Sequence, residues 1–505
     1  MTTSLLPVLL TLHLLNLRQA PAGSELQIRL TSAVGSYAAR AGMPLQAVLI
    51  APVLNNGKIV IPAGSIVTGT VRHVARVGLG IRHETASMDL NFDAVTPAGK
   101  VRIPLATRLE AVDNGRERVN REGRILGVRA TGSLCYRVSG YIRAVIDWDP
   151  HALVADWILK SLITELPEPE IYYAPGSEMT LVLTQPLYAD ATGMAAGPPG
   201  LAPAERVPAA GPAGQPASLA AMAAKVPVRA TAPGSGRPAD LTNVLLAGTQ
   251  QEIEAAFQAA GWEQARPLNL RRRIRFIRAT AERRAYGSAP MSAMLLNGRP
   301  ADMSWQKSLN DVAKRDHIRV WRQQETWQGR PLWVAAATHD IDFAYLRHGE
   351  PFTHRIETDV DREREKVGYD LAFTSCVERM DWIERSGVPR FTHNATGDPM
   401  TTDARMLVVV LNECRAPRLT MHSLASTSLP ERPGGFERIL RREILTTRSD
   451  LLRTNPYYRG YEGGRFLITW MVRRIHRKPA ALAVASPSVP ARTVIPSPAA
   501  PPPGG

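Results

Sequence analysis

From Ala191 to Ala239 the chain is dominated by alanine, proline and glycine and contains no aromatic residue. Such a segment cannot bury enough apolar surface to offset the entropy of ordering it, so it reads as a disordered linker. It rules out one continuous core and divides the 505 residues into two blocks, which chain length alone also favours. Within it, Ser218 to Lys225 has the composition of a brief helix. A second segment of this kind, residues 479–505, ends in three prolines and two glycines and reads as an extended, disordered tail.

The first block, residues 24–190, is patterned as β structure. Leu26, Ile28 and Leu30 alternate with Gln27 and Arg29, and Met88, Leu90 and Phe92 repeat the period of a half-buried strand. Gln46–Val53 and Lys58–Ile61 flank Leu54-Asn55-Asn56-Gly57. Asn-Gly tolerates positive φ at both turn positions, which signals a hairpin. Asp149-Pro150 starts a helical insertion whose apolar face is Leu153, Trp157, Ile158 and Leu162. The run 47–53, then Gly57-Lys58-Ile59-Val60-Ile61-Pro62-Ala63-Gly64-Ser65, and later 174–183, resemble the β-barrel domain of TrbI-type scaffold proteins of bacterial conjugation channels. The resemblance implies a barrel-like domain here.

Upstream, Leu5 to Leu17 is mostly apolar and is followed by Ala20, Ala22, Gly23 and Ser24. That length suits a signal-peptide core and is too short to span a bilayer. Residues 1–23 therefore read as a signal peptide, and the expected location is the periplasm or cell envelope. The three cysteines, Cys135, Cys376 and Cys414, are isolated and form no metal motif. In an exported chain Cys376 and Cys414 can pair as one disulfide; the alternative is three buried thiols.

The formal net charge of +15 favours acidic partners. The densest basic stretch runs from Arg271 to Arg278 and on to Arg283 and Arg284, with Ile274, Phe276 and Ile277 interleaved. No base-stacking or base-reading motif accompanies it, and export also argues against nucleic acid. The expected partners are an anionic ligand, a membrane surface or an envelope protein. The sequence implies no particular cofactor.

The second block, residues 240–478, mixes strands and helices without regular βαβ alternation, the pattern of an α+β domain. Val244-Leu245-Leu246-Ala247-Gly248 reads as a strand, and Thr249-Gln250-Gln251-Glu252 as a capping box opening a helix with Ile253, Ala256, Phe257 and Ala260 on one face. Gln328-Gly329 marks a hairpin. Asp359 starts a helix, and Met406 to Leu411 suits a strand buried on both faces. Three polar clusters follow on β-like stretches: Asp316 to Trp321, Ala337 to Asp340, and Thr353 to Asp361. The order and spacing of these runs resemble the LssY C-terminal domain, a likeness that implies a fold and no defined reaction.

The candidate site is a polar pocket of His317, Arg319, His339, Asp340, His354, Arg355 and Asp359. Imidazoles and carboxylates near one another can act as general acid and base or ligate a divalent metal, with His317, His339 and His354 the metal candidates. None of their spacings is a recognised metal motif. Ile318 and Val320 need the core, which sends His317 and Arg319 outward. His339 meets His317 only if the register across Gln328-Gly329 allows it, because a one-residue slip reverses the faces. The alternating charges after Asp359 read as a solvated helix face. No phosphate loop, dinucleotide loop, nucleophile elbow or lipid-phosphatase signature is present. The leading expectation is a non-catalytic envelope protein that binds an anionic ligand or partner. The alternative is a hydrolase of a phosphorylated or lipid-like substrate, with or without a bound metal.

Overall fold

Strand alternation in the first block closes a sheet around one core. The computed structural model describes residues 17–56, 58–113, 115–133, 166–190, 219–265, 291–307, 314–347, 350–374, 376–414 and 432–457, with isolated residues besides. The 149–162 helix, Cys135, the Arg271–Arg278 stretch, residues 191–218 and the tail lie outside the described residues. The main sheet runs in the order Thr107–Val112, Glu178–Leu183 (β2), Glu25–Leu30 (β1), Pro44–Leu49, Ile66–Ala75, Ser87–Thr96, Arg124–Leu126, Arg118–Val119, with every pairing antiparallel. Thr107 Oγ1 donates to the Phe92 carbonyl (2.7 Å), which draws the two limbs together and nearly closes the barrel. Leu26, Ile28, Leu30, Met88, Phe92, Met179 and Leu181 fill it, as their alternation predicts. The Asn56 turn adopts φ 50° between Val53–Asn55 and Lys58–Ile61.

Two boundaries differ from the sequence reading. Leu17–Ala20, assigned to the signal peptide, pairs with Leu187–Asp190, and Ala20 is part of the barrel core. Residues 219–239, assigned to the disordered linker, are folded: Leu219–Lys225 (α1) is helical, and Arg229–Thr231 pairs with Pro238–Leu241. The reason is packing. Leu219, Ala223, Ala230 and Ala239 fit against the sheet of the second domain, where small side chains are what the space allows.

That second sheet is ordered Glu263–Gln264, Met303–Lys307 (β4), Arg315–Trp327 (β5), Arg330–Arg347 (β6), Val244–Ala247 (β3), Arg405–Leu411 (β8), Val377–Glu384, with Glu350–Ile356 (β7) also on β6. Only β3 and β8 run parallel, at its centre. Gln250–Ala259 (α2) and Val360–Ala372 (α3) cover one face through Ile253, Phe257, Val367 and Leu371. The opposite face carries α1 and the small strands. This sandwiching explains the unbroken apolar runs of β3 and β8: Leu407 and Val409 serve one layer, and Val408 and Val410 the other. The expected capping box at Thr249 and the Asp359 cap of α3 both form. Cys376 and Cys414 are joined as a disulfide. Among the described residues no helix is long and apolar enough to cross a membrane. Both domains and the start of Gly435–Thr454 (α4) belong to one compact unit ending at Leu445, and the remainder of the chain forms a second unit.

Asn243 staples the centre of the second sheet. Its Nδ2 donates to the Ala337 carbonyl (3.0 Å), and its Oδ1 accepts from the Ala337 amide (2.9 Å). Truncation leaves a buried donor and a buried acceptor unmatched. Asn243→Ala is therefore expected to lower stability by about 2–4 kcal/mol, read from the denaturant midpoint; a loss below about 1 kcal/mol would contradict this role.

Candidate functional site at the domain interface

The turn between β5 and β6 sets the geometry of the site. Gln328 and Gly329 both take positive φ (51° and 76°), as an Asn-Gly-like two-residue hairpin requires. The resulting register puts Asp316 opposite His339, His317 opposite Thr338, and Arg315 opposite Asp340. Directly opposed residues share a face. His317 and His339 consequently project from opposite faces of the sheet, and the expected single pocket of three imidazoles does not form.

On the α1 side, three of the seven candidates meet at Asp340, and Arg319 projects from the same face. Asp340 Oδ2 lies 3.3 Å from His317 Nδ1, 3.2 Å from His354 Nδ1 and 3.6 Å from Arg315 Nη2. Arg319 Nη1 donates to Asp240 (3.3 Å) and its Nη2 to Ser292 Oγ (3.1 Å). The face is covered rather than outward as expected, and His317 and Arg319 are each only 4% exposed. Asp240, on the Pro238–Leu241 strand, provides part of that cover. Burial, reinforced by Arg315 and Arg319, pushes His317 and His354 well below the usual imidazole range. Burial pushes Asp340 up to about 7 against the pull of Arg315. Neutral imidazoles around a carboxyl can hold a proton in place, but they offer no exposed cationic surface to an anion. Arg355 is exposed beside Asp342, and Asp359 accepts from the Asp361 amide as the cap of α3. Neither joins the cluster.

On the α2 and α3 side lies a larger network that the sequence reading missed. Lys307, Asp316 and His339 stand in one row across β4, β5 and β6. His339 Nδ1 is 2.7 Å from Asp316 Oδ1 and 3.9 Å from Glu363 Oε2. Lys366 Nζ lies 3.6 Å from Asp316, 3.3 Å from Asp370 and 2.6 Å from Glu178. Lys307 Nζ lies 2.9 Å from Asp370 and 3.3 Å from Glu178. Glu178 and Arg29 are cross-strand partners on the outer face of the barrel, 2.7 Å apart, and Arg29 also pairs with Asp370. Trp262 Nε1 donates to Asp370 (2.8 Å). Ala63 of the barrel enters the second-domain core nearby.

The electrostatics follow from this packing. Burial alone would raise Asp370 and Glu178, but Lys307, Lys366 and Arg29 outweigh it and hold both carboxyls below their ordinary ranges. Asp316 is held at about 2, with Lys366 and His339 overcoming its burial. Burial, reinforced by Asp316, pushes Glu363 well above the usual carboxylic range. His339 is raised because the Asp316 hydrogen bond outweighs burial. The signal was present in the spacing. Glu363, Lys366, Val367 and Asp370 fall at i, i+3, i+4 and i+7, so the charges share the stripe of α3 that buries Val367 and Leu371. The charge run is therefore not a solvated face: Glu363 and Arg364 are 2% and 0% exposed.

An open depression lined by Arg229, Arg237, Thr392, His393 and Asn394 shares no residue with either cluster.

A barrel and a layered α+β domain, locked by buried charges, define a two-domain β-rich protein. The second domain is similar to a known family: residues 223–406 match the family described as the LssY C-terminus. That span contains the second-domain residues of both clusters. Among solved structures, ComB10 of the Com type IV secretion system of Helicobacter pylori is similar at 10% identity and a TM-score of 0.20, covering 34% of this chain and 90% of that chain. No curated protein matches the sequence.

The lowered Glu178 and Asp370 imply an acid-labile interface. A carboxyl depressed in the folded state contributes stability that is present above its unfolded value and lost as pH falls through the folded one. The contribution of Glu178 and Asp370 is expected to be level from pH 7 to about 5 and to fall below about 4, with a slope of up to about 1.4 kcal/mol per pH unit for each group. Glu178→Gln should be less stable at pH 7 and show a shallower acid slope in urea titrations at stepped pH. An unchanged slope would remove Glu178 from the account.

Proposed function

We propose that this chain is a non-catalytic scaffold or binding protein of the bacterial cell envelope, whose two domains are held as one body by the Arg29–Glu178–Asp370–Lys307–Lys366 network. One observation carries the reading. The charged side chains that a hydrolase would turn toward substrate are instead matched to one another across the domain boundary or within the sheet. An active site needs such groups to converge on a space that substrate can enter. The net charge of +15 supports an anionic partner, either a membrane surface or an acidic envelope component.

The apolar Leu5–Leu17 run supports export, and the Cys376–Cys414 disulfide fits an oxidising compartment. Because Leu17–Ala20 pairs with Leu187–Asp190, removal of a leader that ends ahead of Leu17 would preserve the barrel edge. Fractionation is expected to place the chain in the envelope, and mass spectrometry to find Leu17–Ala20 retained. Protein confined to the cytosol would sink the assignment.

Asp370→Asn tests the scaffold reading. It leaves three buried cations short of a carboxylate, a loss expected to cost about 3–5 kcal/mol. Calorimetry should show one joint transition for the natural chain and two separated transitions for the variant. Two transitions already present in the natural chain, or turnover of generic phosphoester or ester substrates that His317→Ala abolishes, would overturn the proposal.

A further inference from the structure

The geometry points to a divalent-cation site formed by Asp316 of β5, His339 of β6 and Glu363 of α3. Donor atoms of the three residues lie within 4.8 Å of one another, with Asp316 Oδ1 and His339 Nδ1 2.7 Å apart and Glu363 Oε2 3.9 Å from that nitrogen. Those separations suit neighbouring ligands in one coordination shell. A second observation is independent of them: Glu363 is 2% exposed, and among the described residues its Oε1 has no hydrogen-bond partner. A buried carboxyl oxygen without a donor is costly to keep, and a cation supplies what it lacks.

Two carboxyls brought together in a buried place need a counter-charge, and a divalent ion between them supplies it. Lys366 meets Asp316 through Oδ2 and is shared with Glu178 and Asp370, which leaves Asp316 Oδ1 on the side of His339 and Glu363. One imidazole and two carboxylates suit Zn²⁺ or Mn²⁺ better than Ca²⁺ or Mg²⁺, which prefer all-oxygen shells. The ion would clip α3 to the sheet beside the domain boundary. The inference is independent of the scaffold reading, because a site of this kind serves a catalyst equally well.

The test is calorimetric titration of the full chain, stripped with EDTA, with ZnCl₂ and separately MnCl₂. One equivalent is expected to bind, more weakly at pH 6 than at pH 7, because the ligands must give up protons to bind. His339→Ala and Glu363→Gln should each weaken binding at least tenfold, while His73→Ala on the exposed barrel surface should leave it intact. Absent binding, or binding equal in all these chains, would overturn the site. If the first two variants do not fold, the natural chain is treated with Fe²⁺ and ascorbate, and its oxidised peptides are mapped. Oxidation centred on His339 supports the site, and oxidation confined to exposed His73 and His393 refutes it.

Discussion

The architecture depends on what happens to Arg29. It sits on the outer face of a barrel strand, where alternation with Leu26, Ile28 and Leu30 would leave an arginine in water. Instead it is 3% exposed, because the second domain lies over it. Removing a guanidinium from water costs several kcal/mol unless carboxylates meet it with good geometry. Glu178 does so from the neighbouring strand, and Asp370 from the other domain. Each of those carboxylates needs further donors, which Lys307 and Lys366 supply. No member of the set can be buried alone. The barrel face, the end of β4 and one stripe of α3 are therefore constrained together.

The same logic extends one step into the sheet. Lys366 continues the chain of contacts to Asp316, and Asp316 to His339. Charge compensation thus runs from a barrel strand to the hairpin formed by β5 and β6. The other face of that hairpin carries a separate set, Asp340 with His317, His354 and Arg315. Only the sheet separates two groups of titratable side chains, and the two-residue turn at Gln328-Gly329 decides which residue belongs to which group.

Much of the fold was legible in the sequence, and the reasons are local. Thr249 with Glu252, Asp359, Asn56 and Gln328-Gly329 act through their own backbone, so their chemistry can be read without neighbours. Burial of β8 on both faces was equally plain in Val408-Val409-Val410. The site was legible only in part. His317, Asp340 and His354 do meet, with Arg319 on the same face, but pairing register is a non-local property, and it sends His339 to the other face. Residues 219–239 look like linker because Ala and Pro carry no pattern of their own, yet Ala223, Ala230 and Ala239 pack against the sheet that a neighbouring layer of small residues leaves room to cover. Arg29 and Glu178 were invisible for a related reason. A charged residue at an outward strand position signals solvent unless the covering surface is already known.

A buried ionic boundary does something that an apolar one of the same size would not. Apolar contact is non-directional, and Ala63, Gly64 and Phe373 form a contact of that kind between the two domains. Such a patch would tolerate sliding and rotation. Arg29 with Glu178 and Asp370 demands particular distances and a planar approach, and Trp262 holds the Asp370 carboxylate from a further direction. A shifted docking would strand at least one ion without its partner, which costs more than the right docking gains. The charges thus select one orientation by penalising the rest. His339 and Glu363 stand at the inner end of the same contacts, so whatever binds between them acts on a boundary that admits a single arrangement.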